Sequence, residues 1–240
     1  EGPTGFGWVV SLLADERGGM WMGSQQSGLR YAWHAGAERL NADDGLTNLA
    51  LWSYWADEDQ LLTGTNDGVF EFRQGRFHHL IPGSELPDPR AYSVLRTRQG
   101  HIFVGTRAGL YQMTADGKFL RSFPALRNLQ INGLLEEPGI GLWIASSDGL
   151  FLHHDGGLQR IGQTRGLSES QIRFVLRGRE GRLWVGTQKG LFVASGDEFH
   201  RVPKSGPEQD FVTAMLELSD GRLLVGTYGG LIHVRDPELG

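Results

Sequence analysis

Short apolar stretches alternate with polar turns along the whole chain, and most of these turns contain glycine. In one typical unit, Val175-Leu176 is followed by the turn Arg179-Glu180-Gly181-Arg182 and then by Leu183-Trp184-Val185. This order of apolar stretch, tight turn and apolar stretch indicates a β-hairpin. No segment repeats its apolar residues with a helical period over three turns. The pattern therefore predicts an all-β chain of short antiparallel strands.

One phrase recurs six times along the chain. In each copy a bulky apolar residue stands two places before a small residue, a hydroxyl residue follows, and a Gly-Leu or Gly-Val pair comes shortly afterwards. The small residues are Gly23, Gly64, Gly105, Ala145, Gly186 and Gly226. Successive copies are thus 40 or 41 residues apart, and this constant spacing indicates a structural repeat.

Each repeat predicts four short strands, and four antiparallel strands every forty residues or so are typical of one propeller blade. We therefore predict a β-propeller of about six four-stranded blades, either complete or part of a larger propeller. The predicted single domain covers 1–240. Its repeats are predicted at about 7–47, 48–88, 89–129, 130–169, 170–209 and 210–240.

The sixth repeat ends early, because its third strand, Leu231–Val234, is followed by Asp236-Pro237. Residues 1–7 are the remaining candidate for its fourth strand, and four of them are glycine or proline, which disfavour strands. The predicted third strand, 230–234, would then form an open sheet edge. Since unpaired edges pair with other chains, we expect a homo-oligomer or an end-to-end contact.

The 36 glycines agree with many tight turns, and the net charge of −5 comes without any stripe of Lys and Arg. Nucleic acid is therefore not expected as a partner. No apolar run approaches the length of about 18 residues that spans a bilayer, so no membrane contact is expected of this segment. The absence of cysteine excludes disulfides and thiolate sites.

Candidate catalytic and metal sites find little support in the sequence. Neighbouring strand residues face opposite sides, so neither His78-His79 nor His153-His154 is well placed to hold one metal ion; His200 stands alone. The acidic segments Asp57-Glu58-Asp59 and 41–45 lack the ligand spacing of a calcium loop. With no nucleophile elbow and no phosphate loop, we predict no catalytic residue, cofactor or metal.

The apolar residue of the phrase is tryptophan in three repeats, at Trp21, Trp143 and Trp184. We predict that these three indoles occupy equivalent buried positions between blades. Trp8, Trp52 and Trp55 belong to the first strands instead. For them two interpretations stay open: filling of the core, or a stacking surface at the mouth of the channel.

The repeated phrase resembles the two-component regulator propeller repeat. Its nearest copy is Gly181–Leu191, and the linker Asp44-Gly45-Leu46-Thr47-Asn48 is similar to the segment that joins blades in that family. The resemblance implies a sensor region in the bacterial periplasm. It also implies, as partners, a transmembrane segment and a histidine kinase or GGDEF-type diguanylate cyclase of the same protein.

Polar and aromatic side chains vary between repeats at one face, where the first strands begin and where the second strands turn into the third. Variation on a repeated scaffold is where specificity can lie, so this rim is the predicted ligand site. Its residues are Trp8, Asn48, Arg90, Tyr92, Gln130, Arg173, Asp210 and Tyr228. A rim of amides, arginines and aromatics suits a small polar ligand such as a carbohydrate, and a merely hydrated surface is the alternative.

The sequence therefore predicts a non-catalytic, ligand-sensing propeller of a bacterial membrane signalling protein. A scaffold that binds other proteins is the alternative. A propeller lyase or hydrolase is the least favoured of the three, because fold analogy alone supports it.

Overall fold

The computed structural model describes most of the chain. The described residues are 9–14, 19–24, 28–33, 36–57, 60–162, 165–167, 171–203, 211–218, 221–227 and 230–234. The chain divides into two compact units, Glu1–Gln130 and Ile131–Gly240.

The first unit contains three four-stranded antiparallel sheets, one for each repeat. Sheet 1 consists of β1 (Val9–Ala14), β2 (Met20–Ser24), β3 (Leu29–Trp33) and β4 (Gly36–Leu40). Sheet 2 consists of β5 (Leu51–Ala56), β6 (Leu61–Thr65), β7 (Gly68–Arg73) and β8 (Arg76–Pro82). Sheet 3 consists of β9 (Ser93–Arg96), β10 (Ile102–Thr106), β11 (Gly109–Met113) and β12 (Phe119–Ser122). Three short 3-10 helices lie in the linkers, at Ala42–Asp44, Gly83–Glu85 and Pro124–Leu126.

Among the described residues of the second unit, two sheets have four strands and one has three. Sheet 4 consists of β13 (Ile131–Glu137), β14 (Gly141–Ser146), β15 (Gly149–His154) and β16 (Gly157–Ile161). Sheet 5 consists of β17 (Ile172–Arg177), β18 (Leu183–Thr187), β19 (Gly190–Ser195) and β20 (Glu198–Arg201). Sheet 6 consists of β21 (Val212–Glu217), β22 (Leu223–Thr227) and β23 (Gly230–Val234).

The prediction of about six four-stranded blades is therefore wrong in number, since five sheets have four strands. The sixth repeat forms three strands among its described residues. Residues 1–7, the proposed substitute for its fourth strand, lie outside the described residues. Within the described part of the chain, no helix is long and apolar enough to cross a membrane.

The apolar residues of the repeats pack in the spaces between neighbouring sheets of one unit. One cluster joins Leu62 and Val69 of sheet 2 to Val94 and Val104 of sheet 3. Every residue of β6, β10 and β18 is buried. Strands covered on both faces need continuous rather than alternating apolar residues, which explains the run of bulky residues in each phrase.

The three tryptophans of the phrase occupy equivalent places in the register of their sheets. Trp143 is 8% exposed and Trp184 is 4% exposed, which confirms their predicted burial. The prediction is wrong for Trp21, which is only half-buried. Its ring lies between Tyr31, at 4.4 Å between centroids, and Phe72, at 6.4 Å, on the border of its cluster.

The small residue of the phrase is required because the first strand region of the next sheet approaches it closely. A Cβ atom on Gly64 would lie 2.3 Å from the carbonyl oxygen of Ala91. On Gly186 it would lie 2.7 Å from Cγ1 of Val212. Only glycine, or alanine where there is more room, lets neighbouring sheets pack at this distance.

The hydroxyl residue of the phrase closes the turn between the second and third strands. The hydroxyl of Thr65 donates to the Gly68 carbonyl at 3.1 Å and accepts from the Asp67 N–H at 3.0 Å. The same pair of hydrogen bonds is made by Thr106, Ser146 and Thr187. We call this pair of bonds the hydroxyl latch. It shapes the turn without using the side chains of the two residues at the turn's centre.

Candidate functional site

A β-bulge interrupts the pairing of the first and second strands in sheets 1, 2, 4, 5 and 6. It lies one residue before the partner of the small residue, so it falls at the same place in each repeat. Bulges redirect the side chain of the extra residue, and they are common beside binding sites. We call these positions the bulge column: Val10, Trp52, Asn132, Arg173 and Thr213. Tyr92 holds the equivalent place before β9, where its N–H donates to the Gly105 carbonyl at 2.8 Å.

In the first unit, two members of the bulge column form an aromatic platform. The rings of Trp52 and Tyr92 lie 4.8 Å apart between centroids, at an angle of 54°. The indole N–H of Trp52 donates to Oδ1 of Asn66 at 2.7 Å, which fixes the ring. Both aromatic residues are half-buried. The platform is thus held in place and is partly accessible to solvent.

The segment that carries Tyr92 is fastened to the neighbouring turn of sheet 2. The N–H of Gly68 donates to the Pro89 carbonyl at 2.7 Å, and the N–H of Ala91 donates to the Thr65 carbonyl at 2.9 Å. These main-chain bonds fix the distance between Tyr92 and the turn that contains Asn66. The platform therefore rests on backbone contacts between two sheets of one unit.

Arg90 lies beside the platform and is held by a carboxylate. Its Nε and Nη2 donate to the two oxygens of Asp88 at 3.1 and 2.8 Å. Its guanidinium carbon lies 5.9 Å from the centroid of the Tyr92 ring. The hydrogen bond from Arg90 lowers the pKa of Asp88 despite its partial burial, and Arg107 lowers it further. The same hydrogen bond raises the pKa of Arg90.

This arrangement predicts that Asp88 titrates below 3.8, the ordinary value for an aspartate. A carboxyl whose pKa is depressed by folding stabilises the folded state above its unfolded pKa and stops doing so as the pH falls through its folded pKa. Arg90→Gln should move the pKa of Asp88 upward. Arg98 is an exposed arginine of the same unit, and Arg98→Gln should leave the pKa of Asp88 in place. Carbon-detected NMR of the side-chain carboxyl measures both. An unchanged midpoint in Arg90→Gln would contradict the pair.

In the second unit, Asn132 and Arg173 of the bulge column contact the following repeat. Nδ2 of Asn132 donates to the Ile172 carbonyl at 2.7 Å. The guanidinium carbon of Arg173 lies 5.2 Å from the centroid of the Phe211 ring. These side chains therefore contribute to the packing of neighbouring sheets as well as to the surface.

The predicted rim residues do not all belong to one unit, and some lie outside the described residues. Arg90 and Tyr92 lie together in the first unit, and Arg173 belongs to the second. Oδ1 of Asn48 accepts from the Ala50 N–H at 3.1 Å, so this side chain shapes the linker. Gln130 is half-buried at the end of the first unit. Trp8, Asp210 and Tyr228 lie outside the described residues.

The rim prediction did not include Trp52 or Asp88, although they lie at the platform. Of the two interpretations of the extra tryptophans, core filling fits Trp55, which packs partly buried against the cluster between sheets 2 and 3. The stacking interpretation fits Trp52. The strand pairing separates them, because Trp52 lies at the bulge whereas Trp55 pairs with Leu62 in the regular part of the ladder.

His79, in the fourth strand of sheet 2, has structural partners. The imidazole of His79 stacks on Phe70 at 4.2 Å, and its Nε2 donates to the Asp67 carbonyl at 2.7 Å. Arg160 and Arg201 stand at the same place opposite an aromatic residue, and Arg201 donates to the Lys189 carbonyl at 2.5 Å. The position therefore serves to brace the neighbouring turn. Among the described residues, no three His, Asp or Glu side chains are grouped closely enough to hold a metal ion.

Several solved structures share this fold. The extracellular domain of BT3049 from B. thetaiotaomicron, assigned to a hybrid two-component system, is 15% identical with a TM-score of 0.78, covering 97% of this chain and 35% of that one. The extracellular domain of BT4673, assigned to the same kind of system in the same organism, is 19% identical with a TM-score of 0.67, covering 95% and 38%. Virginiamycin B lyase from Staphylococcus aureus is 13% identical with a TM-score of 0.72, covering 95% and 81%.

These structural matches show the fold, which is a β-propeller, as the repeats predicted. The first two proteins are of the class that the repeated phrase resembles. The chain spans little more than a third of their length. No protein-family model matches the sequence, and no curated protein matches it either.

Proposed function

We propose that this chain is a non-catalytic, ligand-sensing segment of a bacterial membrane signal-transduction protein, placed in the periplasm. The ligand is a small polar molecule, with a carbohydrate as the favoured class, bound at the platform of Trp52 and Tyr92. The observation that carries the proposal is the presentation of two aromatic rings by the bulge column. Support for the compartment comes from the extracellular domains that share the fold.

The chemistry of the platform fits a sugar ring. Aromatic faces bind the apolar side of such a ring, and the polar groups around them fix its orientation. The amide of Asn66 has two N–H donors in addition to the oxygen that holds Trp52. The guanidinium of Arg90 lies near the Tyr92 ring and adds N–H donors to the same surface.

Removal of the platform should weaken binding while leaving the fold intact. We expect Trp52→Ala to raise the dissociation constant at least about tenfold, or ~1.4 kcal/mol, because one full stacking surface is lost. Trp52→Phe should lose less affinity than Trp52→Ala. A panel of soluble oligosaccharides on a glycan array, followed by calorimetric titration of the ligands that bind, provides the measurement.

Trp33→Ala is the matched control, since Trp33 is 43% exposed on the third strand of sheet 1 and away from the bulge column. It should leave the affinity unchanged. The proposal is wrong if the wild-type chain binds no member of the panel, or if Trp52→Ala binds as tightly as the wild type. Thermal unfolding of each variant establishes that the chain is still folded.

Signalling would require the rest of a longer protein. The partners we propose are the membrane segment and the kinase or cyclase of the parent chain, with association between propellers as a possible means of transmission. Binding of ligand to one propeller state more tightly than to another would shift the population toward that state.

A second candidate is a protein-binding scaffold, favoured by the exposed side chains of Phe119 (59%) and Leu120 (45%) on the outer strand of sheet 3. Exposed apolar residues at a sheet edge suit protein contact. Loss of self-association or of a partner in Phe119→Ser/Leu120→Ser, with ligand binding intact, would identify this role. The likeness to a lyase rests on fold alone.

A further inference from the structure

Asp88 is surrounded by more positive charge than it can neutralise. Arg90 forms a bidentate pair with it, and Arg107 also lies within electrostatic reach. Tyr111, whose hydroxyl donates to the Ala108 carbonyl at 3.3 Å, is within reach of both Asp88 and Arg127. Asp88 therefore lies near the guanidinium groups of Arg90 and Arg107, and Arg127 lies near Tyr111 in the same part of sheet 3.

The backbone explains why these arginines are brought together. Arg107 occupies the centre of the turn between β10 and β11, which the Thr106 hydroxyl latch closes. Arg127 lies against the end of the same turn, since a Cβ on Gly109 would be 3.5 Å from its Cα. The N–H of Asn128 donates to the Ala108 carbonyl at 3.0 Å and fixes that approach.

Arg107 and Arg127 differ from Arg90 in having no carboxylate of their own. Both are exposed, and no described residue accepts a hydrogen bond from either guanidinium. The chain as a whole carries a net charge of −5, so a local excess of cations runs against its average. Guanidinium groups bind carboxylate and sulfate oxygens with paired, charge-assisted hydrogen bonds.

We propose that the ligand of the platform carries an anionic oxygen group, a carboxylate or a sulfate, which Arg107 and Arg127 bind. This inference rests on the proposed function, because it assigns a charge to the ligand bound there. Asp88 keeps Arg90 beside Tyr92, and the two unpaired arginines face the charged end of the ligand. The chemical class is thus an acidic rather than a neutral sugar.

The test compares matched probes: oligogalactose, the corresponding oligogalacturonate and a sulfated oligogalactose of the same length. We expect the wild-type chain to bind an acidic probe at least about tenfold more tightly than the neutral one. This preference should shrink when the salt is raised from about 50 to about 500 mM, since salt screens exposed charges. Comparison of the two acidic probes tells carboxylate from sulfate.

Arg107→Gln/Arg127→Gln should reduce the affinity for the acidic probe to that for the neutral probe, with neutral binding unchanged. Lys118→Gln removes a cation from the opposite end of the same sheet, between β11 and β12, and should change neither affinity. Equal binding of neutral and acidic probes, or a preference that survives in the double variant, overturns the inference alone. Failure of Trp52→Ala to weaken either probe overturns the proposed function instead.

Discussion

Replacement of Trp184 by alanine is expected to lower the free energy of unfolding by about 3–5 kcal/mol, the range for deletion of a large aromatic side chain from a core. Trp184 is 4% exposed and packs in one cluster with Leu191, Val193, Val212 and Val225. The indole fills the space between sheets 5 and 6, so its removal leaves a cavity rather than a solvated surface. Urea unfolding, fitted for both the midpoint and the slope, measures the loss.

The repeats supply graded controls for this substitution. Sheet 3 has Phe103 at the same position, 5% exposed, so Trp184→Phe should cost much less than Trp184→Ala. The loss of stability in Trp21→Ala should lie between the losses in Trp184→Ala and Trp33→Ala, because Trp21 is half-buried. Trp33→Ala, at 43% exposure, should change the stability little. A loss below about 1 kcal/mol for Trp184→Ala would mean that this position is not part of the core.

Replacement of Arg96 by methionine is expected to cost about 3 kcal/mol, at the low end of the range for breaking a buried ion pair. Nη2 of Arg96 donates to Oε1 of Glu71 at 3.1 Å, and their side chains are 13% and 7% exposed. The pair joins sheet 3 to sheet 2. Without Arg96 the Glu71 carboxylate stays buried beside Arg73 alone, at 3.5 Å, whose side chain is 58% exposed.

Two further variants show whether the cost comes from the stranded charge. Glu71→Met/Arg96→Met removes both partners and should be more stable than Arg96→Met, since apolar residues replace the pair. Arg73→Met breaks only the exposed contact and should cost less than about 1 kcal/mol. Chemical unfolding of the variants provides the comparison. An Arg96→Met variant as stable as Arg73→Met would rule out a structural role for the buried pair.

The strands and their grouping could be predicted from the sequence, because burial on both faces leaves a continuous apolar phrase in every repeat. The bulge column could not be predicted from the sequence. A bulge depends on which residue pairs with the small residue, and that count varies: Ser53 pairs with Gly64, 11 positions on, whereas Gly133 pairs with Ala145, 12 positions on. Without this register, Trp52 and Trp55 look alike in the sequence.

Side-chain pairs between residues that are distant in the sequence could not be predicted either. Arg96 finds Glu71 25 positions away, and Arg177 finds Glu137 40 positions away. Glu137 also accepts the indole N–H of Trp143 at 2.7 Å. Such pairs depend on the angle and separation of neighbouring sheets, which a repeat pattern does not encode. The rim residues Arg90 and Tyr92 were predicted because they immediately precede a first strand, and the Asp88 carboxylate that orients Arg90 was missed.

In each turn that the hydroxyl latch closes, the bonds that define the turn do not involve the side chains available for recognition. Thr65, Thr106, Ser146 and Thr187 hold four turns by the same two hydrogen bonds, although the central pairs are Asn-Asp, Arg-Ala, Ser-Asp and Gln-Lys. Substitution at a central pair therefore changes the chemistry of the surface without loss of the bonds that define the turn. These positions suit a combinatorial library in which the scaffold is kept and only the turn centres are randomised.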